Sequence, residues 1–121
     1  MTATETLIRS YYDAFNAGDV EAMLALLTED VIHDINQGAR EVGVPAFRAF
    51  MARMNAHYRE ELRDIVVLTE PTGRRAAAEF TVHGTYLSTD EGLPEARGQT
   101  YVLPAGAFFE IRDERIARVS N

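Results

Sequence analysis

Apolar residues first recur at helical spacing. Leu7, Ile8, Tyr11, Tyr12 and Phe15 share one face of a helix that Thr2 and Glu5 open as a capping box and Asn16-Ala17-Gly18 closes with a left-handed turn. Asp19 caps a second, shorter helix through Leu27, its carboxylate placed to accept from the amides of Glu21 and Ala22. Val31 to Ile35 reads as a short strand and Gln37 to Gly43 as a glycine-bearing connection. Pro45 suits the first turn of a third helix, along which Phe47, Met51, Met54 and Tyr58 draw an apolar stripe. Beyond residue 61 the period falls to two. Leu62 to Glu70 and Ala76 to Leu87 form a hairpin about Pro71-Thr72-Gly73-Arg74, and Asp90 to Pro94 has the residues of a loop. Gln99 to Ile111 is a long strand with a bulge expected at Pro104 and Gly106, and Arg115 to Ser120 pairs back across Arg112-Asp113-Glu114. Helix, helix, strand, helix and then three or four antiparallel strands predict one α+β domain over residues 1–121, with no repeat or dividing linker.

Composition narrows the function classes. Twelve basic residues against nineteen acidic ones give a formal charge of -7, which repels a phosphate backbone, so no nucleic-acid partner is expected. All the basic residues are arginine, which excludes Schiff-base chemistry on a lysine, and the absence of cysteine excludes disulfides, thiol nucleophiles and thiolate metal sites. The longest clean apolar run, Ala22 to Leu27, is far short of the roughly 20 residues that span a bilayer, and Met1 to Phe15 lacks a secretory core. No membrane association and a cytoplasmic location are therefore expected. A chain this short buries only about two-thirds of its unfolded surface, so a ligand cavity would tax its stability and dimerisation would compensate.

The run Tyr11-Tyr12-Asp13-Ala14-Phe15-Asn16-Ala17-Gly18-Asp19, with Leu24-Ala25-Leu26-Leu27 and Asp30-Val31-Ile32-His33-Asp34 after it, carries a family likeness. It resembles the ketosteroid isomerase and polyketide cyclase (SnoaL-like) branch of the nuclear transport factor 2 superfamily. The likeness extends through Gly43 to Phe50 and Ile116 to Asn121, nearly the whole chain. It implies a cone-shaped α+β fold in which three N-terminal helices pack against a curved antiparallel sheet around an apolar cavity. It further implies a small hydrophobic carbonyl ligand and no cofactor, while Val102 and Phe108 on the outer faces of the C-terminal strands predict a homodimer through the sheet. The family's fold hosts isomerases, cyclases, dehydratases and non-catalytic binding modules alike, so the fold does not by itself select the chemistry.

The resemblance also distributes roles. The family's isomerases use a carboxylate base on the first strand and a tyrosine hydroxyl on the enolate oxygen. Tyr11, five residues before Asn16, stands where the oxyanion tyrosine stands, with Tyr12 its rival. A one-residue shortening brings Asp34 to the carboxylate position. Strand alternation leaves the base open, because Val31, His33 and Ile35 share one face and Ile32, Asp34 and Asn36 the other. If Asp34 faces inward its carboxyl is the base, with its pKa raised by desolvation; if the other face is inward, His33 takes that part. Tyr12, Phe15, Met54, Tyr58, Phe80, Val82, Ala107 and Phe109 are the expected cavity wall. Ala107 falls at the family's second oxyanion acid and has no proton to donate, so half of that hole is expected to be missing. His57, near the end of the third-helix stripe, is expected as a half-exposed histidine without a chemical role, the cavity mouth being the alternative, and His83 is expected to face outward toward a dimer contact. These histidines and Asp34 lack the spacing of metal signatures, and Ser10, Ser88 and Ser120 lie in no nucleophile-elbow sequence, so neither a metal nor a serine nucleophile is expected.

Overall fold

Thr2 accepts a hydrogen bond from the Glu5 amide and starts α1 (Ala3–Asn16), and Gly18, at φ 71°, reverses the chain behind it. The structure is a computed structural model that describes residues 1–36 and 38–121. Asp19 accepts from the Ala22 amide and caps α2 (Val20–Leu24), which is shorter than its apolar run suggests. Leu27 already belongs to β1 (Leu27–Asp34), because its side chain is needed in the core beside Ile116 of the last strand. The expected connection after β1 contains a three-residue strand, β2 (Arg40–Val42), while Gln37 lies outside the described residues. Gly43 then caps α3 (Val44–His57), with Pro45 in its first turn as expected.

The second half is strand: β3 (Tyr58–Thr69), β4 (Arg75–Tyr86), β5 (Thr100–Arg112) and β6 (Arg115–Ser120). The six strands form one sheet in the order β2-β1-β6-β5-β4-β3. It is mixed, not wholly antiparallel: β1 and β6 run parallel, and every other neighbouring pair is antiparallel. The helices are not consecutive either, since β1 and β2 separate α2 from α3. Ile8, Tyr11 and Tyr12 of α1 and Phe47 and Met51 of α3 pack with Leu62, Phe80, Val82, Phe109 and Val119 to make the core. Among the described residues no helix is long and apolar enough to cross a membrane.

Two irregularities decide which strand residues face the helices. Asp64 adopts φ 55° and the β3–β4 register shifts between Arg63 and Val66. The inward set therefore changes from Tyr58, Glu60 and Leu62 to Ile65 and Val67, and Val66 and Leu68 are turned outward. The Asn16 side chain holds this strand by bonding both the Leu62 N–H (2.8 Å) and the Leu62 C=O (2.9 Å). The bulge expected at Pro104 and Gly106 is absent, as these pair with Thr81 and Glu79 in unbroken register. Pro104 is tolerated because β6 covers β5 only from Phe108 onward, so its missing N–H falls on a free edge. The actual register shift lies at Glu110 and Ile111, against β6.

Candidate functional site

The inner sheet face, α1 and α3 enclose a cavity of about 400 Å³. Its apolar wall includes Tyr11, Tyr12, Phe15, Phe47, Phe50 and Phe80, and its polar groups come from His33, Asn36, Asn55, Glu60 and Asn121. A largely apolar hollow with a few converging polar groups is the usual form of a small-molecule site.

His33 projects from β1 into this wall. Residues directly opposite one another in an antiparallel ladder share a face, and His33 pairs with half-buried Glu41 while Asp34 pairs with exposed Arg40. Alternation thus places His33 inside, 2% exposed, and Asp34 outside. The His33 ring lies 4.5 Å from the Phe47 ring and 4.6 Å from the Phe50 ring, edge-on to the latter. Desolvation by these neighbours lowers its pKa below the ordinary value of 6.5, against the opposing pull of Glu41 and Asp34, so the imidazole is neutral at pH 7. The Asn121 side-chain amide lies 3.3 Å from Nε2, and Asn121 itself borders the cavity. With that amide nitrogen donating, Nε2 is the bare nitrogen and Nδ1 carries the ring proton.

The expectation that Asp34 lies in the cavity is corrected. Its carboxylate accepts from Arg40 at 2.6 and 3.1 Å and from Arg118 at 3.5 Å, on the opposite face of the strand. Arg40 and then Arg118 hold its carboxyl below the usual carboxylate range, the reverse of the rise that an apolar pocket would produce. Asp34→Asn is therefore expected to leave the affinity of the cavity for an apolar fluorescent probe within about twofold of the parent, because the substitution does not reach the cavity. Probe titration of the two proteins at pH 7 checks this, and a loss of binding would return Asp34 to the site.

Tyr11 and Tyr12, each 4% exposed, are adjacent in α1 and meet edge-on at 5.2 Å between ring centroids. Phe109 packs against both rings at 5.9 and 6.1 Å, and Phe80 approaches Tyr12 at 5.1 Å. Burial pushes both phenols well above their ordinary pKa, so they remain protonated donors. Neither hydroxyl bonds to a partner among the described residues, and both tyrosines border the cavity.

Phe15, Met54, Tyr58, Phe80 and Val82 border the cavity as well. Ala107 and Phe109 do not. They are 1% and 0% exposed and fill the core, with Phe109 beneath the two tyrosines, while Ala105, one pleat along β5, reaches the wall. An acid at position 107 would therefore enter packed core instead of the cavity. His57 lies outside the wall, its Nδ1 3.1 Å from both the carbonyl oxygen and the hydroxyl of Ser88. Half-buried His83 stands opposite Glu61 and Val102 on the outer face.

Glu60 borders the cavity and is held by Tyr101 from the same sheet face, and sequence reasoning missed both. The Tyr101 hydroxyl donates to Glu60 Oε2 at 2.5 Å. The signal was Gly84, paired with Glu60 on one side and Tyr101 on the other: a Cβ there would overlap the Tyr101 ring, so glycine lets the ring cross β4 toward β3. Tyr58 closes the same side, its hydroxyl donating to Asp90 at 2.8 Å and its ring stacked on Tyr86 at 5.5 Å.

No curated protein matches the sequence. Among solved structures, two proteins described as a "putative polyketide cyclase" superpose closely. The one from Pseudomonas putida KT2440 is 68% identical, with a TM-score of 0.95, over 100% of this chain and 90% of its own. The one from Xanthomonas campestris pv. campestris is 60% identical, with a TM-score of 0.97, over 98% and 88%. TerC, co-crystallised with polyporic acid, shares the fold at a TM-score of 0.71 and 19% identity, over 98% and 89%. The SnoaL-like domain model matches residues 8–119, from within α1 to within β6, and the chain belongs to that SnoaL-like family.

Proposed function

We propose that the protein catalyses proton transfer on a small hydrophobic carbonyl compound, with His33 as general base and Tyr11 polarising the carbonyl oxygen. The observation that carries this reading is a neutral imidazole buried in the wall of an apolar cavity that also holds two unpartnered phenols. Nε2 removes a proton from the carbon next to the carbonyl, and the C–H electron pair moves into the enolate. The oxygen that gains charge accepts hydrogen bonds from Tyr11 and its neighbour Tyr12. The imidazolium then returns the proton at another carbon, giving an isomer. Alternatively, the enolate carbon attacks a second carbonyl of the same molecule, whose oxygen takes the proton, giving a ring. The relatives' description as polyketide cyclases supports the second outcome. The test is deuterium uptake from D₂O next to the carbonyl of a panel of β,γ-unsaturated ketones and linear diketones. Uptake that depends on His33 supports the reading. Tight binding without uptake by any member would instead favour a non-catalytic hydrophobic-ligand module.

The same reading includes a homodimer formed through the outer sheet face. Leu68, Ala77 and Phe108 lie in register across β3, β4 and β5, with Leu68 60% and Phe108 61% exposed. Val66 and Val102 extend this apolar surface. Light scattering at micromolar concentration is expected to give twice the chain mass, and Phe108→Asp to give the monomer. A monomeric parent protein would refute the dimer.

A further inference from the structure

His33 and Glu41 present a complementary pair of buried polar atoms that lack partners. Among the described residues, His33 Nδ1 and Glu41 Oε1 are both sealed from solvent with no hydrogen bond. Orphaned buried groups of this kind are uncommon and costly. The two residues stand directly opposite in the β1–β2 ladder, so their side chains leave the same face from Cβ atoms about 5 Å apart. Glu41 is the half-buried residue of β2, between exposed Arg40 and Val42. One atom is a donor when Nε2 accepts from Asn121, and the other is an acceptor.

We infer that Glu41 is a positioning residue for His33: its carboxylate accepts the Nδ1–H, holds Nε2 as the bare nitrogen facing the cavity, and stabilises the imidazolium formed when Nε2 takes a proton. The backbone register already sets the two side chains opposite one another on one face. Among the described residues the other carboxylates near the ring are engaged elsewhere, Glu60 across the cavity by the Tyr101 hydroxyl and Asp34 by two arginines. Helix α3 contributes the Phe47 and Phe50 rings, with the Arg53 guanidinium 5.5 Å from the Phe50 centroid. Strand β6 contributes Val119 and the neutral Asn121 amide. Asp34, on the ring's own strand, faces away and is engaged by Arg40 and Arg118. Glu41 accordingly outweighs Asp34 in favouring the charged ring. The catalytic consequence rests on the reading of His33 as base; the pairing itself does not.

The pairing is tested by ¹H–¹⁵N NMR of the His33 imidazole in the full chain across pH. The parent protein is expected to show a protonated Nδ1 and a bare Nε2 in the neutral ring. In Glu41→Gln the His33 titration midpoint should fall by about one pH unit or more, as loss of an adjacent opposite charge requires. The neutral ring should also populate both tautomers, and Glu41→Asp should restore part of each effect. A parent ring with its proton on Nε2 overturns the inference without any variant, which decides the matter even if Glu41→Gln does not fold. An unchanged midpoint and tautomer in folded Glu41→Gln overturns it as well. Either result leaves His33 available as base, whereas deuterium uptake by His33→Gln refutes the base and leaves the pairing standing.

Discussion

Deuterium uptake into a carbonyl ligand is expected to fall by about 10²–10⁴-fold in His33→Gln, the usual contribution of a positioned general base. Glutamine keeps a polar group against Phe47, Phe50 and Asn121 but cannot take up a proton at neutral pH. Ligand affinity should change far less than turnover, because the apolar wall that binds the ligand is retained. In the parent protein, kcat/KM should rise with pH as His33 loses its proton, with a midpoint below the ordinary 6.5, since burial opposes the charged ring. The same shift affects stability with a defined sign. The unfolded chain's imidazole takes up a proton near pH 6.5 and the folded one resists it, so the unfolded state binds more protons in that interval. The folded protein therefore loses stability as the pH falls from about 6.5 to the depressed folded value, and this part of the loss should vanish in His33→Gln. A pH profile with no inflection below 6.5, or full uptake by the variant, would remove His33 from the mechanism.

Tyr11→Phe is expected to lower kcat by about a hundredfold to a thousandfold, the cost of deleting one donor at a developing oxyanion. The effect is set by what surrounds the hydroxyl. The Tyr11 ring is buried, its hydroxyl bonds to no partner among the described residues and the residue borders the cavity, so a ligand oxygen that gains charge there would be its acceptor. Its neighbour Tyr12, a protonated phenol at the next position of α1 that also borders the cavity, offers a second donor. The Tyr11→Phe, Tyr12→Phe double variant should fall below either single one by less than the product of their effects, because the two donors serve one oxygen. Both substitutions retain the ring contacts with Phe80 and Phe109, so thermal unfolding should change little while kcat collapses. A single variant with full kcat would show that its hydroxyl does not meet the reacting oxygen.

The local elements were legible because each depends on near neighbours. Thr2 and Asp19 cap helices within three residues of themselves, Gly18 supplies a positive φ, and Pro45 enters a first turn; none of these requires the rest of the chain. The family likeness rested on that same stretch of α1 and β1. Tyr11 and Tyr12 became candidates through that likeness, by the place of Tyr11 five residues before Asn16, while helical spacing put both on the buried face.

What alternation alone could not settle was which of two faces is inside. A strand reading Val-Ile-His-Asp is consistent with either, and the choice reverses every side chain at once. The decision came from partners remote in sequence: Arg118 of β6 and Arg40 of β2 can engage Asp34 only on the outer face, while Phe47 and Phe50 of α3 cover His33 on the inner one. Parallel pairing of β1 with β6 escaped notice for the same reason, since no local pattern reports which distant strand will lie alongside. The φ of Asp64 shifted β3 by one pleat and moved Val66 and Leu68 outward, and Gly84 admitted Tyr101 to Glu60 across an intervening strand. The sequence by itself determined where helices and turns start, because these follow from capping, torsion and periodicity over a few positions, and its family likeness supplied Tyr11, Asp34 and His33 as candidates. Only the tertiary structure decided that His33 and not Asp34 meets the cavity, because desolvation and ion pairing are set by groups that the chain brings together from its opposite ends.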